Sequence, residues 1–127
     1  MDNARRQQLL RRYEDASRAV VVAIDHVSGE HLDLRPPKGG WSPREIVHHL
    51  ANAHMVESLR LRRMLAENTP MLEHWDETQY SKHLHYDLPI EASLASFRAN
   101  ARANIELHSA LSDGNGDARA ISSGCGP

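Results

Sequence analysis

The sequence has one cysteine, six aromatic residues besides histidine, and no long apolar run. A single cysteine, Cys125 in a glycine-rich tail, excludes a framework of intramolecular disulfides. The longest uninterrupted apolar run covers residues 19–24, whereas a helix that spans a membrane needs roughly 20 apolar residues. No apolar leader segment follows the first methionine, so we expect a cytoplasmic protein with no membrane partner.

Charge of either sign is not concentrated enough to indicate nucleic-acid binding. The formal net charge is -2, and binding to phosphates needs a concentrated basic face, so we expect no nucleic-acid partner. Hydrophobic residues make up 40% and charged residues 25%, which is typical of a soluble globular protein. A chain of 127 residues has the length of one domain.

Three segments carry apolar residues at every third or fourth position, the spacing of one helical face. They predict helices over residues 3–27, 42–67 and 89–111. A loop with two consecutive prolines covers residues 28–40, and a later polar stretch is predicted to form one helical turn over residues 76–81. No alternating strand pattern of useful length occurs, so we predict an all-α, up-down bundle of three long helices. The stripe of the first helix comprises Leu9, Tyr13, Ala16, Val20, Ile24 and Val27, and that of the third comprises Ile90, Leu94, Phe97, Ala101, Ile105 and His108.

The start of the second helix carries a strong local signal. Ser42 is a typical N-cap residue, Pro43 suits the first helical position, and Glu45 stands three residues after Ser42 as a capping box requires. Trp41 precedes the cap, where an apolar side chain packs on the first turn. The pattern predicts a helix whose start and direction are fixed locally.

The composition changes after Leu111. Residues 112–127 hold four glycines and three serines, and no helical period survives there. We therefore predict a helical bundle domain over residues 1–113 and an irregular Gly/Ser-rich tail over residues 114–127.

Histidine is in excess, with nine residues, and imidazole is the commonest metal ligand. On a helical wheel of about 100° per residue, with Ile46 as the reference, the apolar residues of the second helix cluster within about 60°. His49 lies about 60° to the other side and is predicted to face the core, whereas His48 points about 160° away and is predicted at the surface. His54 is predicted on the flank, about 80° from the reference. The clustered apolar residues are Leu50, Ala53, Leu61 and Met64.

These histidines also have structural interpretations that involve no metal. His49 fits a core-edge histidine bonded to a backbone carbonyl, and His108, on the stripe of the third helix, fits a core histidine. His83 and His85 stand two apart in a loop and are predicted to be solvated. The second helix contains no His-x-x-x-His pair, the spacing that brings two imidazoles to one ion.

Residues 39–55, with the sequence GGWSPREIVHHLANAHM, resemble the opening of the second helix in the DinB superfamily, closest to its YfiT-like branch. The resemblance continues through residues 59–60, 67–70 and 75–77, and it covers roughly residues 9–113. Gly-Trp-Ser/Thr followed by a helical His-His-Leu-Ala is a fairly specific signature.

The resemblance implies a four-helix bundle that holds a divalent metal, nickel or zinc, through three histidines. It carries the first ligand onto His49, while a His-x-x-x-His on the fourth helix supplies the other two. The sequence after Asp113 has no positions that match that helix, so we expect a truncated bundle with an incomplete metal site. Trp41, Glu57 and Arg60 are expected to bind substrate. The two charged residues among them fall on the predicted inward face, where a charge needs a partner, a ligand or water.

The chemistry implied by the resemblance is that of a metal-dependent hydrolase, or of a thiol S-transferase that joins a low-molecular-weight thiol to an electrophile. A metal with open positions deprotonates a thiol or a water near neutral pH, so the expected substrate is a small molecule. The alternative is a non-catalytic interaction module. In that case the apolar stripes left uncovered without a fourth helix are buried against a second copy, as a homodimer, or against another protein.

Overall fold

The computed structural model describes residues 2–112, and this part of the chain forms four helices and no β-strand. The helices are α1 (Asn3–Asp25), α2 (Pro43–Ala66), α3 (Glu77–His83) and α4 (Glu91–Ser112), with a short 3-10 turn at Gly29–His31. The predicted all-α class is confirmed, since α1, α2 and α4 are the three long helices and α3 is the predicted short turn. The tail predicted to be irregular, residues 114–127, lies outside the described residues.

The helices α1, α2 and α3 each begin at a side chain that accepts a hydrogen bond from a backbone N–H of the first turn. Asp2 caps α1 by accepting from the backbone N–H of Arg5 at 2.7 Å, and Asp76 caps α3. Ser42 and Glu45 form the predicted capping box of α2, with distances of 3.0 Å and 3.3 Å. The start of α2 is thus determined by local sequence, as predicted.

The core lies mainly between α2 and α4, with α1 packed on α4 and α3 on α2. Its apolar members are few, and three of the six are as small as alanine or valine. They are Val47, Ala51, Tyr86, Ile90, Phe97 and Ala101. Across the described residues, no helix combines the length and the apolarity needed to cross a membrane.

A polar network crosses the core and joins all three long helices. The Asn104 side chain on α4 donates to Ser58 Oγ at 2.9 Å and to the Tyr13 hydroxyl at 3.2 Å. The Arg62 guanidinium donates to Asn104 Oδ1 at 2.8 Å and to the Ser58 carbonyl at 3.0 Å. A buried amide costs free energy unless it is bonded, and this one is bonded on both sides.

The buried face of α2 differs from the one predicted on the helical wheel. The buried residues Val47, His48, Ala51 and Ser58 point on average about 140° away from Ile46, at about 100° per residue. Ile46 itself is 41% exposed and Met64 is 51% exposed. The wheel prediction was wrong because small and polar side chains of α2, rather than its largest apolar ones, meet bonding partners on α4. Two members of the predicted α1 stripe, Leu9 and Ala16, are likewise exposed.

Candidate functional site

The N-terminus of α2 is tied to two loops by arginine side chains. Arg44 donates to Asp33 Oδ1 at 2.8 Å and to the Leu88 carbonyl at 3.2 Å, and Arg35 donates to Glu45 Oε2 at 3.0 Å. The hydrogen bond from Arg44 holds the pKa of Asp33 below its ordinary value. These ties fix the direction of the chain at the helix start and hence the place of the tryptophan that precedes it.

His49 lies between the two tryptophans of the chain. The centroid of its imidazole is 4.7 Å from that of Trp41, with the ring planes at 68°, and 5.9 Å from that of Trp75, with the planes at 21°. Its Nδ1 atom is buried and has no hydrogen-bond partner among residues 2–112. The carbonyl bond expected under the structural interpretation of His49 is therefore not formed by this nitrogen.

The position of His49 on α2 explains this environment. Its direction is about 160° from the mean direction of the buried face, at about 100° per residue, so it points away from α4. The side chain is nevertheless half-buried, because Trp41 and Trp75 cover it. His49 therefore does not enter the contact between α2 and α4 but lies along the edge of the core, beside Trp41 and Trp75.

His48, predicted at the surface, is buried with 6% exposure. Its Nε2 lies 2.7 Å from the Leu88 carbonyl oxygen and its Nδ1 lies 2.7 Å from Ser93 Oγ. Since a carbonyl only accepts, Nε2 donates to it and the serine hydroxyl donates to Nδ1. Tyr86 stacks on the same ring at 5.7 Å. The carbonyl-bonded structural histidine of this helix is thus His48, and it ties α2 to the start of α4.

His54 forms a second aromatic cluster at the junction of α1, α2 and α4. Its ring lies 4.2 Å from Phe97 and 5.9 Å from Tyr13, and its Nδ1 is buried without a partner. Burial lowers the pKa of His54, because the charged form is poorly solvated there. Burial, and then the charge of Arg6, lower the pKa of His108. Neither His54 nor His108 is brought to His49 by a contact in the described residues.

The aromatic residues of the chain concentrate around the histidines of α2. Five of the six contact His48, His49 or His54, and the sixth, Tyr80, packs on Trp75 at 4.9 Å. The few aromatic rings of the chain therefore lie next to these histidines, and two of them, Tyr86 and Phe97, also belong to the core. The five are Tyr13, Trp41, Trp75, Tyr86 and Phe97.

Glu57 and Arg60 lie beyond His49 on α2, about 12 Å and about 16 Å along the axis at about 1.5 Å per residue. They pair with each other at 2.8 Å, and the Arg60 guanidinium also donates to the Glu73 carbonyl. The Glu57 side chain is 62% exposed, so the prediction that it faces inward is wrong: it shares the exposed direction of Ile46. That both residues bind substrate remains a prediction.

The described residues do not fit a three-histidine metal centre. All nine histidines fall within residues 2–112, yet no three His, Cys, Asp or Glu side chains of that part of the chain are arranged to hold one ion. His49 offers a single nitrogen. The remaining potential donors, Asp113, Asp117 and Cys125, lie outside the described residues.

The fold and the site together define a helical bundle with a tryptophan-flanked histidine on its second long helix. The family profile of the DinB superfamily matches residues 6–126. The chain therefore belongs to the DinB superfamily. Among solved structures, YfiT from Bacillus subtilis, described as a candidate metal-dependent hydrolase with an unusual four-helix bundle topology, superimposes with a TM-score of 0.77. That match covers 87% of this chain and 63% of YfiT at 24% identity, which shows a shared fold.

Curated relatives carry names of the same kind. A candidate metal-dependent hydrolase of Oceanobacillus iheyensis is 35% identical over 86 residues, which is 68% of this chain and 50% of the relative. YfiT of Bacillus subtilis, also named a candidate metal-dependent hydrolase, is 33% identical over 69 residues, which is 54% of this chain and 39% of the relative. The chain thus spans half or less of the length of these relatives.

Sequence reasoning did not find the role of Trp75 or the polar partners of His48. Trp75 lies in a segment without any helical period, so no spacing argument connects it to α2. Ser93 and Leu88 are 45 and 40 residues from His48. The one sequence signal was the family resemblance at residues 75–77. It identifies the segment that contains Trp75 but does not predict the contact of Trp75 with His49.

Proposed function

We propose that this chain carries part of a DinB-type metal centre in which His49 is one ligand to nickel or zinc. The observation that supports the proposal is the state of the imidazole. It stands at the position to which the family resemblance carries the first ligand, it is held between two tryptophans, and its Nδ1 is buried and unpaired. Because Nδ1 is buried, we assign the metal to Nε2.

The activity that we propose for the complete centre is that of a metal-dependent hydrolase or a thiol S-transferase acting on a small molecule. A low-molecular-weight thiol fits the second reaction, because a metal with open positions binds and deprotonates a thiol near neutral pH. The faces of Trp41 and Trp75 provide apolar walls next to His49 for the organic part of such a substrate. Because the described residues supply one ligand, no catalytic step is assigned to them.

A metal chelate tests the role of His49 without the missing ligands. Copper(II) iminodiacetate brings three donors of its own and leaves positions open for one imidazole. Copper(II) quenches indole emission at short range, and both tryptophans of the chain contact His49. We expect saturable quenching in the wild-type chain, and we expect His49→Ala to abolish it.

The control for this titration is His83→Ala. His83 is exposed on α3 and contacts Gln79 at 3.1 Å, so it represents a surface histidine of the same chain. Quenching that survives in His49→Ala, or that disappears in His83→Ala, overturns the proposed role of His49. Circular dichroism of both variants confirms that the helices remain.

A specific observation also favours the alternative function, a homodimeric interaction module. Four large apolar side chains of α2 are between 41% and 60% exposed, and two of them, Met55 and Leu59, lie one turn apart on the same face, where adjacent exposed apolar side chains favour an interface. Sedimentation equilibrium of the wild type and of Leu59→Lys tests it: a dimer that the substitution dissociates supports the module, and a wild-type monomer contradicts it. The four are Ile46, Met55, Leu59 and Met64.

A further inference from the structure

A histidine that ligates a metal is usually oriented by a hydrogen bond at its other ring nitrogen. That bond, to a carboxylate, a carbonyl or water, fixes the tautomer and the ring direction. Within the part of the chain that the structure describes, His49 has no such bond, since its Nδ1 is buried and unpaired. Something other than hydrogen bonding therefore sets the direction of this ring.

The two indoles are the groups that restrict it. Trp41 meets the imidazole edge to face at 68°, and Trp75 lies nearly parallel to it at 21°. Aromatic rings favour these two arrangements because the negative face of one ring attracts the positive edge of another. With contacts of both kinds, rotation of the His49 ring loses favourable packing.

The two tryptophans are held in place in different ways. Trp41 directly precedes the buried N-cap Ser42 and packs edge to face on the buried Tyr86 at 6.0 Å, so the start of α2 fixes it. Trp75 lies in the irregular segment between α2 and α3, where residues 71–74 are all exposed. Its place depends on few contacts.

Arg60 attaches the segment that contains Trp75 to α2. The guanidinium of Arg60 is held by Glu57 at 2.8 Å and donates to the carbonyl of Glu73, two residues before Trp75. The Arg60 side chain is only 24% exposed, which is consistent with a structural attachment. Tyr80 of α3 holds the other side of the indole at 4.9 Å.

We propose that Trp75 is a positioning residue for His49, and that Arg60 sets the place of Trp75 by fastening the Glu73 carbonyl. In this role Arg60 acts on the ring of His49 through the connecting segment, and the expectation from the sequence that Arg60 binds substrate remains a separate prediction. The importance of Trp75 and Arg60 for a metal centre rests on the proposed function, whereas the positioning of the His49 ring by Trp75 does not.

Nuclear magnetic resonance of the metal-free 127-residue chain tests the proposal. Long-range imidazole ¹H–¹⁵N spectra report the ring protons and the tautomer of each histidine, and a stacked indole shifts those protons by its ring current. We expect Trp75→Ala to move the His49 ring signals toward those of free histidine. Trp75→Phe retains an aromatic face and is expected to keep a substantial part of the shift.

Arg60→Gln tests the second half of the proposal. It should move the His49 signals in the same direction as Trp75→Ala, although Arg60 does not contact His49. Arg63→Gln is the matched control, since Arg63 lies on the same helix and pairs with Glu67 at 3.2 Å. Its His49 signals should stay at the wild-type positions.

Unchanged His49 signals in Trp75→Ala overturn the positioning role, and equal effects of Arg60→Gln and Arg63→Gln overturn the role of Arg60. If Trp75→Ala loses helicity, Trp75→Phe and Arg60→Gln decide the question in folded protein. This result is independent of the chelate titration. If His49 binds no copper chelate, the proposed ligand role is wrong, but the ring-current measurement still tests whether Trp75 positions His49.

Discussion

The adjacent imidazoles of His48 and His49 are in opposite hydrogen-bonding states. Both nitrogens of His48 are bonded, to the Leu88 carbonyl and to Ser93 Oγ, whereas Nδ1 of His49 is buried without a partner. One residue of the pair thus joins two helices through its hydrogen bonds, whereas the buried nitrogen of the other makes no such connection. Substitution of the two residues should therefore have different consequences.

His48→Ala is expected to lower the free energy of unfolding by about 1–3 kcal/mol, because the Leu88 carbonyl and the Ser93 hydroxyl lose their shared partner. His49→Ala removes no hydrogen bond at Nδ1 and should cost less. Urea unfolding followed by circular dichroism measures both. A larger loss of stability in His49→Ala than in His48→Ala would contradict the assignment of structural and functional histidines.

Asn104→Ala is expected to destabilise the chain by about 1–3 kcal/mol, since Ser58, Arg62 and Tyr13 all lose a bonding partner in or near the core. Asn100→Ala, on the same helix, is the control, because Asn100 makes one long hydrogen bond of 3.4 Å to Ser96. Its effect should stay within about 0.5 kcal/mol. Equal effects of the two substitutions in urea unfolding would show that the network contributes nothing specific.

The stability of the chain should fall as the pH is lowered through the titration of His54. Burial lowers the pKa of His54 in the folded state from the 6.5 of an unperturbed histidine, so the unfolded state binds the proton more readily. The free energy of unfolding therefore includes the full contribution of neutral His54 above about pH 6.5, and it loses this contribution as the pH falls toward the lowered pKa.

His54→Phe tests this dependence, because phenylalanine keeps a ring between Tyr13 and Phe97 and removes the titrating group. Urea unfolding at about pH 7.5 and about pH 5 should show a smaller difference in the variant than in the wild type. His83→Ala, at an exposed position, should leave the wild-type difference intact. A variant as pH-sensitive as the wild type would exclude His54 as the source.

Local sequence signals were enough to predict the helices. The capping box at Ser42 and Glu45 determines the start of α2 through bonds within one turn, and the stripe of α4 was predicted with Ile90, Phe97 and Ala101 buried. Signals of this kind depend on neighbours along the chain, which a sequence shows directly.

The contacts between helices were not predictable in the same way. The buried side of α2 is chosen by partners more than 40 residues away, such as Ser93 for His48 and Asn104 for Ser58. A helical wheel with Ile46 as its reference identifies the face that carries the largest apolar side chains. It therefore misses a buried face that consists of small and polar residues. The position of His49 as the metal-ligand candidate came from the family resemblance, and its flanking by Trp75 became visible only in the fold.

The central claim, that this chain supplies a single ligand and not a complete DinB-type centre, is tested most directly by calorimetric titration of the 127-residue chain with nickel and with zinc. A complete structural zinc site contributes about 10–16 kcal/mol of binding free energy, and a single imidazole supplies a small part of it. The account predicts that His49→Ala changes the heat of binding no more than His83→Ala does. One-to-one binding with a micromolar or lower dissociation constant that His49→Ala abolishes and His83→Ala retains would contradict it, and would show that the chain holds a complete metal site.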